Sequence, residues 1–341
     1  MSAGGKRKAG RGGLGGGSRG GGGRGEAAMV PQAEFESYYG RPIIKAPVWK
    51  TPDVPLYLFL GGMAGGSALL AEGAAMTGRP GLEKVARLAA AGGAMGGTVF
   101  LVHDLGRPER FLNMLRVLKP TSALSVGTYI LSAFASASGG AAALEVTGWF
   151  PRLKRLLGMG AAVSGPPLAT YTAALFANTA VPIWHEGHRE LPFVFGGSGA
   201  AAAGGVGMLL APSAEHAPAA RMALVGGTVE LVASEVMERR LATQFPLSLA
   251  EPYHQGKGGR FMTMAKRLTV AAHVLNLLGI RWPWLRRLAG ATYVAGSVTT
   301  RFGIFEGGLA SANDPKYTVV PQKARAARKA AERKQSSPTI G

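Results

Sequence analysis

The sequence predicts an all-α, polytopic integral membrane bundle with about eight transmembrane helices, and three observations carry that prediction. First, about eight apolar runs have the length of roughly 20 residues that crosses the hydrocarbon core. Second, 47% of the 341 residues are hydrophobic and 17% charged, and most of the charge lies outside those runs. Third, many of the 52 glycines fall inside the runs. Glycine costs about 1 kcal/mol in a soluble helix, but in a membrane it lets helices approach closely. A large soluble helical protein would need a polar face recurring every 3.6 residues. The stretch "LPFVFGGSGAAAAGGVGMLLAP" has no such charged face.

Along the chain, residues 1–30 are rich in Gly, Arg and Lys and cannot bury a core, so they read as a disordered tail. No apolar h-region follows their charges, so the segment does not read as a cleaved signal. Such an RGG-like tail could meet RNA. Attraction to anionic membrane lipids is the favoured reading, and no nucleic-acid partner is expected. Residues 31–54 form an interfacial lead-in whose Pro and Trp suit the headgroup region. A transmembrane domain follows over 55–312, with spans at about 55–77, 84–105, 122–145, 158–184, 191–212, 216–237, 260–278 and 285–308. Residues 313–341 are a basic tail.

Alternating these spans places 27 Lys and Arg on one side of the membrane and 10 on the other. By the positive-inside rule both termini are cytoplasmic in a cell-membrane protein. The tails carry much of the bias, since the loops alone split 11 to 10. The absence of Cys excludes disulfides, thiolate metal sites and cysteine-held iron–sulfur clusters on this chain. Of six His, His103 and His273 are the two that could face each other as haem ligands, a bis-His haem is disfavoured, and no metal is expected.

The segment "PLYLFLGGMAGGSALL", followed by "HDLGRPERFLNMLRVLKPTSALSVGTY", resembles the NrfD/PsrC family, and "SANDPKYTVVPQKAR" looks like its actinobacterial-type members. The resemblance covers roughly residues 38–325, and D-L-G-R-P-x-R-F is its most specific element. It implies eight helices in two four-helix halves. It also implies a membrane-anchoring, quinone/quinol-reactive subunit, with menaquinone the favoured quinone and no metal or haem of its own. Electrons would pass to or from a ferredoxin-like iron–sulfur subunit, itself serving a molybdopterin catalytic subunit. The family's quinone pocket lies in the first four-helix half. The first-helix His of the family has no counterpart here, where Tyr57 and Glu72 stand instead.

Quinol oxidation releases two electrons and two protons, so a site needs a hydrogen-bond partner at each oxygen and a proton acceptor. The alternating topology gathers candidates at one membrane face: Asp53 and Tyr57, His103 and Asp104, Tyr129, then Asn178 with Trp184. His103 and Asp104 are the candidate catalytic pair, and Tyr57, His103, Tyr129 and Asn178 the candidate quinone contacts. Adjacent helix residues point about 100° apart, so Asp104 is alternatively expected to pair with Arg107 or Arg110 and close the helix end. Residues 108–118 read as a short interfacial helix.

Ionisable residues within spans are a second signal, because an unpaired charge at that depth costs several kcal/mol. Glu72, Glu230, Glu235, Arg301 and Glu306 are of this kind, with Glu230 or Glu235 the expected partner of Arg301. Two other functions compete with quinone chemistry. One is a structural membrane anchor. The other is a secondary transporter, which the Gly-rich spans and Pro166-Pro167 keep open.

Overall fold

The computed structural model describes residues 43–45, 47–106, 113–116 and 118–336. The Gly/Arg tail, Arg107, Arg110 and most of the expected 108–118 interfacial helix lie outside the described residues. Among the described residues there is no strand. The helices are α1 (Asp53–Met76), α2 (Pro80–Leu105), α3 (Ala123–Thr147), α4 (Pro151–Ala177) and α5 (Pro182–Glu186). They continue with α6 (Leu191–Leu210), α7 (His216–Thr243), α8 (Gly256–Leu278), α9 (Pro283–Asn313) and α10 (Lys316–Ser336).

The boundaries follow local chemistry. Pro opens α2, α4, α5 and α9 in their first turns, where its missing N–H costs nothing. Gly106 and Gly148 end α2 and α3 at φ 70° and 72°, a left-handed conformation that a side chain disfavours. Ser122 caps α3 by accepting the Ser125 N–H. The fourth expected span, drawn to residue 184, is corrected here. The long helix stops at Ala177, and Trp184 rides on the separate short helix α5. Pro182 cannot donate to a continuing ladder, so the chain breaks and restarts.

Four helices, α1, α2, α3 and α6, are long and apolar enough to cross a membrane. Among the other long helices, α7–α10 carry charged residues in their middle turns, such as Glu230, Lys266 and Arg301. Helices α1–α4 pack together as one four-helix half and α6–α9 as the other, and the halves meet chiefly along α1 and α6. That seam is made of small residues. A Cβ on Gly66 would lie 2.9 Å from the Ala203 Cβ, and one on Gly199 would lie 2.7 Å from the Gly62 carbonyl oxygen. The two central helices are therefore pressed backbone to backbone, the packing that small residues allow in lipid. Within the first half, α1 and α4 touch in the same way at Gly65 and Gly165.

Aromatic rings lock the halves at one end. Trp184 is fully buried, stacks on Phe176 at 4.2 Å and donates its indole N–H to the Ile304 carbonyl oxygen. Trp49 of the lead-in stacks on the same pair. The C-terminal stretch, read from sequence as a tail, starts as a docked helix. Tyr317 and Lys316 both reach Glu251, and Arg325 pairs with Glu186.

Candidate functional site

One end of the first half gathers the start of α1, the end of α2, the start of α3 and the end of α4. Here the His103 Nδ1 lies 2.7 Å from the Asp53 Oδ2. The Asp53 side chain is 6% exposed, while the His103 side chain is 71% exposed. A carboxylate only accepts, so Nδ1 carries the shared proton, and in the neutral ring Nε2 keeps its lone pair. Nε2 has no protein partner among the described residues.

His103 also lines a hollow of ≈ 410 Å³ with Thr98, Val99, Val102 and Gly106. All five lie on one face of α2, so the hollow opens on the outside of the bundle. The Thr98 hydroxyl is spent on the Ala94 carbonyl. Among the described lining residues, the imidazole is thus the polar group left free beside Val99 and Val102. Inside the same half, the void beside Arg87 and Ser138 measures only ≈ 10 Å³, about the room of one water. A quinone ring fits the outer hollow, whose size is in the range of small-molecule sites, and not the inner void.

The other sequence-predicted residues are placed as follows. Asp104 does not face His103: its Oδ1 accepts the Lys50 backbone N–H at 2.9 Å, tying the lead-in to the end of α2. Tyr57 is buried one turn along α1 from Asp53, with its ring against Gly97 of α2. The Tyr129 hydroxyl donates to the Leu115 carbonyl oxygen at 2.8 Å and so holds the α2–α3 connection. Asn178 is an exposed residue at the C-terminus of α4. His103 therefore meets Asp53, a residue outside the predicted catalytic pair. The signal for it was topological: Asp53 opens the first span on the face where His103 closes the second.

The expected charge pairs in the second half differ as well. Arg301 is fully buried, donates to the Phe195 carbonyl oxygen and lies 3.9 Å from the centre of the Phe195 ring. Glu230 lies within electrostatic reach of Arg301 without a direct ion pair and accepts from the Thr300 hydroxyl, while Glu235 pairs with Arg239 and Lys266. His273 has both ring nitrogens engaged, by the Thr269 carbonyl and the Thr228 hydroxyl. Among the described residues, no cluster of three or more His, Asp or Glu could hold a metal ion.

An all-helical bundle with apolar central helices and a small-residue seam defines a polytopic membrane protein. The family profile described as "Polysulphide reductase, NrfD" matches residues 44–223, more than half of the chain, and the chain belongs to that family. NrfD proteins are membrane subunits of oxidoreductase complexes that interact with quinones. No curated protein matches the chain.

Proposed function

We propose that this chain is the quinone/quinol-reactive membrane subunit of a multisubunit oxidoreductase, with His103 as its proton acceptor and Asp53 as the residue that orients it. The observation that carries this reading is the His103–Asp53 pair beside an apolar hollow. Helices α1–α4 and α6–α9 span the membrane in this reading, with both termini cytoplasmic. The partners are a ferredoxin-like iron–sulfur subunit and a molybdopterin catalytic subunit, and the quinone is menaquinone.

A bound quinol supplies two electrons and two protons on oxidation. His103 presents its Nε2 lone pair to the nearer hydroxyl and takes that proton, the farther hydroxyl gives its proton to water at the open side of the hollow, and both electrons leave to the iron–sulfur partner. Asp53 holds the ring in the productive tautomer and stabilises the imidazolium that forms. Val99 and Val102 offer an apolar wall to the ring and its tail. Asp104 keeps the end of α2 against Lys50, so that the imidazole stays in place. Tyr57, Tyr129 and Asn178 act in this reading as framework around the pair.

The test is quinol turnover by the assembled complex. His103→Ala should assemble normally and lose at least about 100-fold in quinol-linked electron transfer, the lower end of general-base contributions. Asp53→Asn should lose less and change the pH profile. An assembled His103→Ala complex that oxidises quinol at the unmodified rate would refute the assignment.

A further inference from the structure

A second concave strip runs along the outer face of α8 and α9, at the same membrane face as His103 but on the other half of the bundle. It consists of two adjoining hollows. One, of ≈ 860 Å³, includes Arg260, Met264, Arg267, Leu268 and Ala271 in its lining. The other, of ≈ 490 Å³, includes Lys257, Arg260, Phe261, Met264 and Phe302. Arg260 and Met264 belong to both, so the strip is continuous.

Its cations outnumber its acids, with Glu306 the one carboxylate among the described lining residues. Lys257, Arg260 and Arg267 are exposed and have no carboxylate partner among the described residues; Arg260 makes a 3.4 Å contact to the Gly256 carbonyl oxygen. On the other side of α8 the pattern is opposite, where Lys266 is bound by both Glu235 and Glu238. His254, at the rim, lies 3.5 Å from Glu238. Glu306 is the acid in the lining, and its Oε1 lies 3.5 Å from the Thr51 hydroxyl. Arg260 and Arg267 are two turns apart on one face, about 10 Å along the axis, and a long Arg at the lower position can lift its guanidinium toward the headgroups. Below the cations the floor is apolar: Met264, Leu268 and Ala271, with the Phe261 and Phe302 rings 5.5 Å apart beside them.

We infer that this strip is a binding site for an anionic diacyl phospholipid. Lys257, Arg260 and Arg267 take the phosphate headgroup, and the acyl chains lie along the apolar floor. Three unpaired cations select a negative headgroup, and the apolar floor selects a lipid over a free phosphate. This site is independent of the quinone assignment.

The test uses the full chain purified in detergent, with dioleoyl phosphatidylglycerol, dioleoyl phosphatidylcholine or inorganic phosphate added. Retained lipid is read by native mass spectrometry and stability by thermal melting. Phosphatidylglycerol should be retained and raise the melting temperature, while phosphatidylcholine and phosphate do neither. Arg260→Gln with Arg267→Gln should weaken phosphatidylglycerol binding about 25-fold, from about fivefold per basic residue at an anionic headgroup. Arg239→Gln, an exposed arginine elsewhere on the same face, should leave binding unchanged. Ala271→Trp, which keeps the cations and fills the floor, should also weaken it, and decides the matter if the double variant does not fold. Equal retention of phosphatidylcholine, a melting shift with phosphate alone, or unweakened binding by the folded variants would overturn the proposal.

Discussion

Arg87 in the first half and Arg301 in the second are both buried, with Arg87 3% exposed and Arg301 0%, yet their surroundings are opposite. Arg87 lies near the end of the bundle away from His103, among the acids of three helices. Glu72 is at 2.7 Å, Glu83 at 2.9 Å and Glu145 at 3.5 Å, with Lys154 and Arg155 closing the network from α4. Arg301 lies on the Phe195 ring with one carbonyl acceptor, and its Nε and Nη1 are without hydrogen-bond partners among the described residues. The difference follows depth. Near a helix end, several charged side chains can converge and share the cost of desolvation. Deep between glycine-rich helices Arg301 has only a π face and a carbonyl at contact distance, and the buried Glu230 nearby is held by the Thr300 hydroxyl rather than by a direct ion pair.

The largest effect should come from Arg87→Leu. It leaves Glu72 and Glu145 facing each other with less compensation and should cost about 3–5 kcal/mol, read as lost melting temperature or folded yield. Adding Glu72→Gln should recover part of that loss. The next effect should be the same in both halves. Gly65→Val would drive a side chain into the Gly165 carbonyl of α4, and Gly197→Val one into the Gly226 carbonyl of α7. Each should cost about 1–3 kcal/mol by overpacking. A marked inequality would show that the halves differ in backbone packing as well as in charge.

Arg301→Met should be milder, within about 1 kcal/mol, because a matched apolar side chain removes a desolvation cost along with the contacts. A loss as large as that of Arg87→Leu would mean that Glu230 relies on Arg301 for its compensation as Glu72 does on Arg87, and the contrast between the halves would vanish. The smallest effect should be at the docked tail. The hydrogen bond from Tyr317, and then that from Lys316, holds the Glu251 carboxyl below the usual carboxylate range. A lowered folded-state pKa means that this stabilisation is present above the unfolded value and is lost as pH falls through the folded one. Glu251→Gln should therefore loosen α10 at neutral pH by less than about 1 kcal/mol. Because the chain has 0 Cys, a spin label on Ala327→Cys reports this as increased mobility without background labelling.

How much of the site was legible in the sequence is seen at the end of α2. The alternation of the apolar runs was enough to bring Asp53, His103, Tyr129 and Asn178 to one end of the bundle, since successive helices run in opposite directions. It could not say that His103 turns to Asp53 while Asp104 turns to Lys50. That choice depends on the rotation of α1 against α2, which the packing of Tyr57 on Gly97 sets. The same limit applies to Arg301, whose presence in a span was plain but whose partner was not.

By itself, the sequence determined that the protein is helical, that its helices are long and apolar enough in places to cross a membrane, and that glycine lets them meet closely. These are local properties of composition and run length. Tertiary structure alone decided which apolar helices are central. In α1 83% of the apolar window is buried, against 28% in α3, although both read as similar spans. Lipid and protein interior are equally apolar, so hydropathy cannot tell a lipid-facing side chain from a buried one; only the fit of neighbouring helices can.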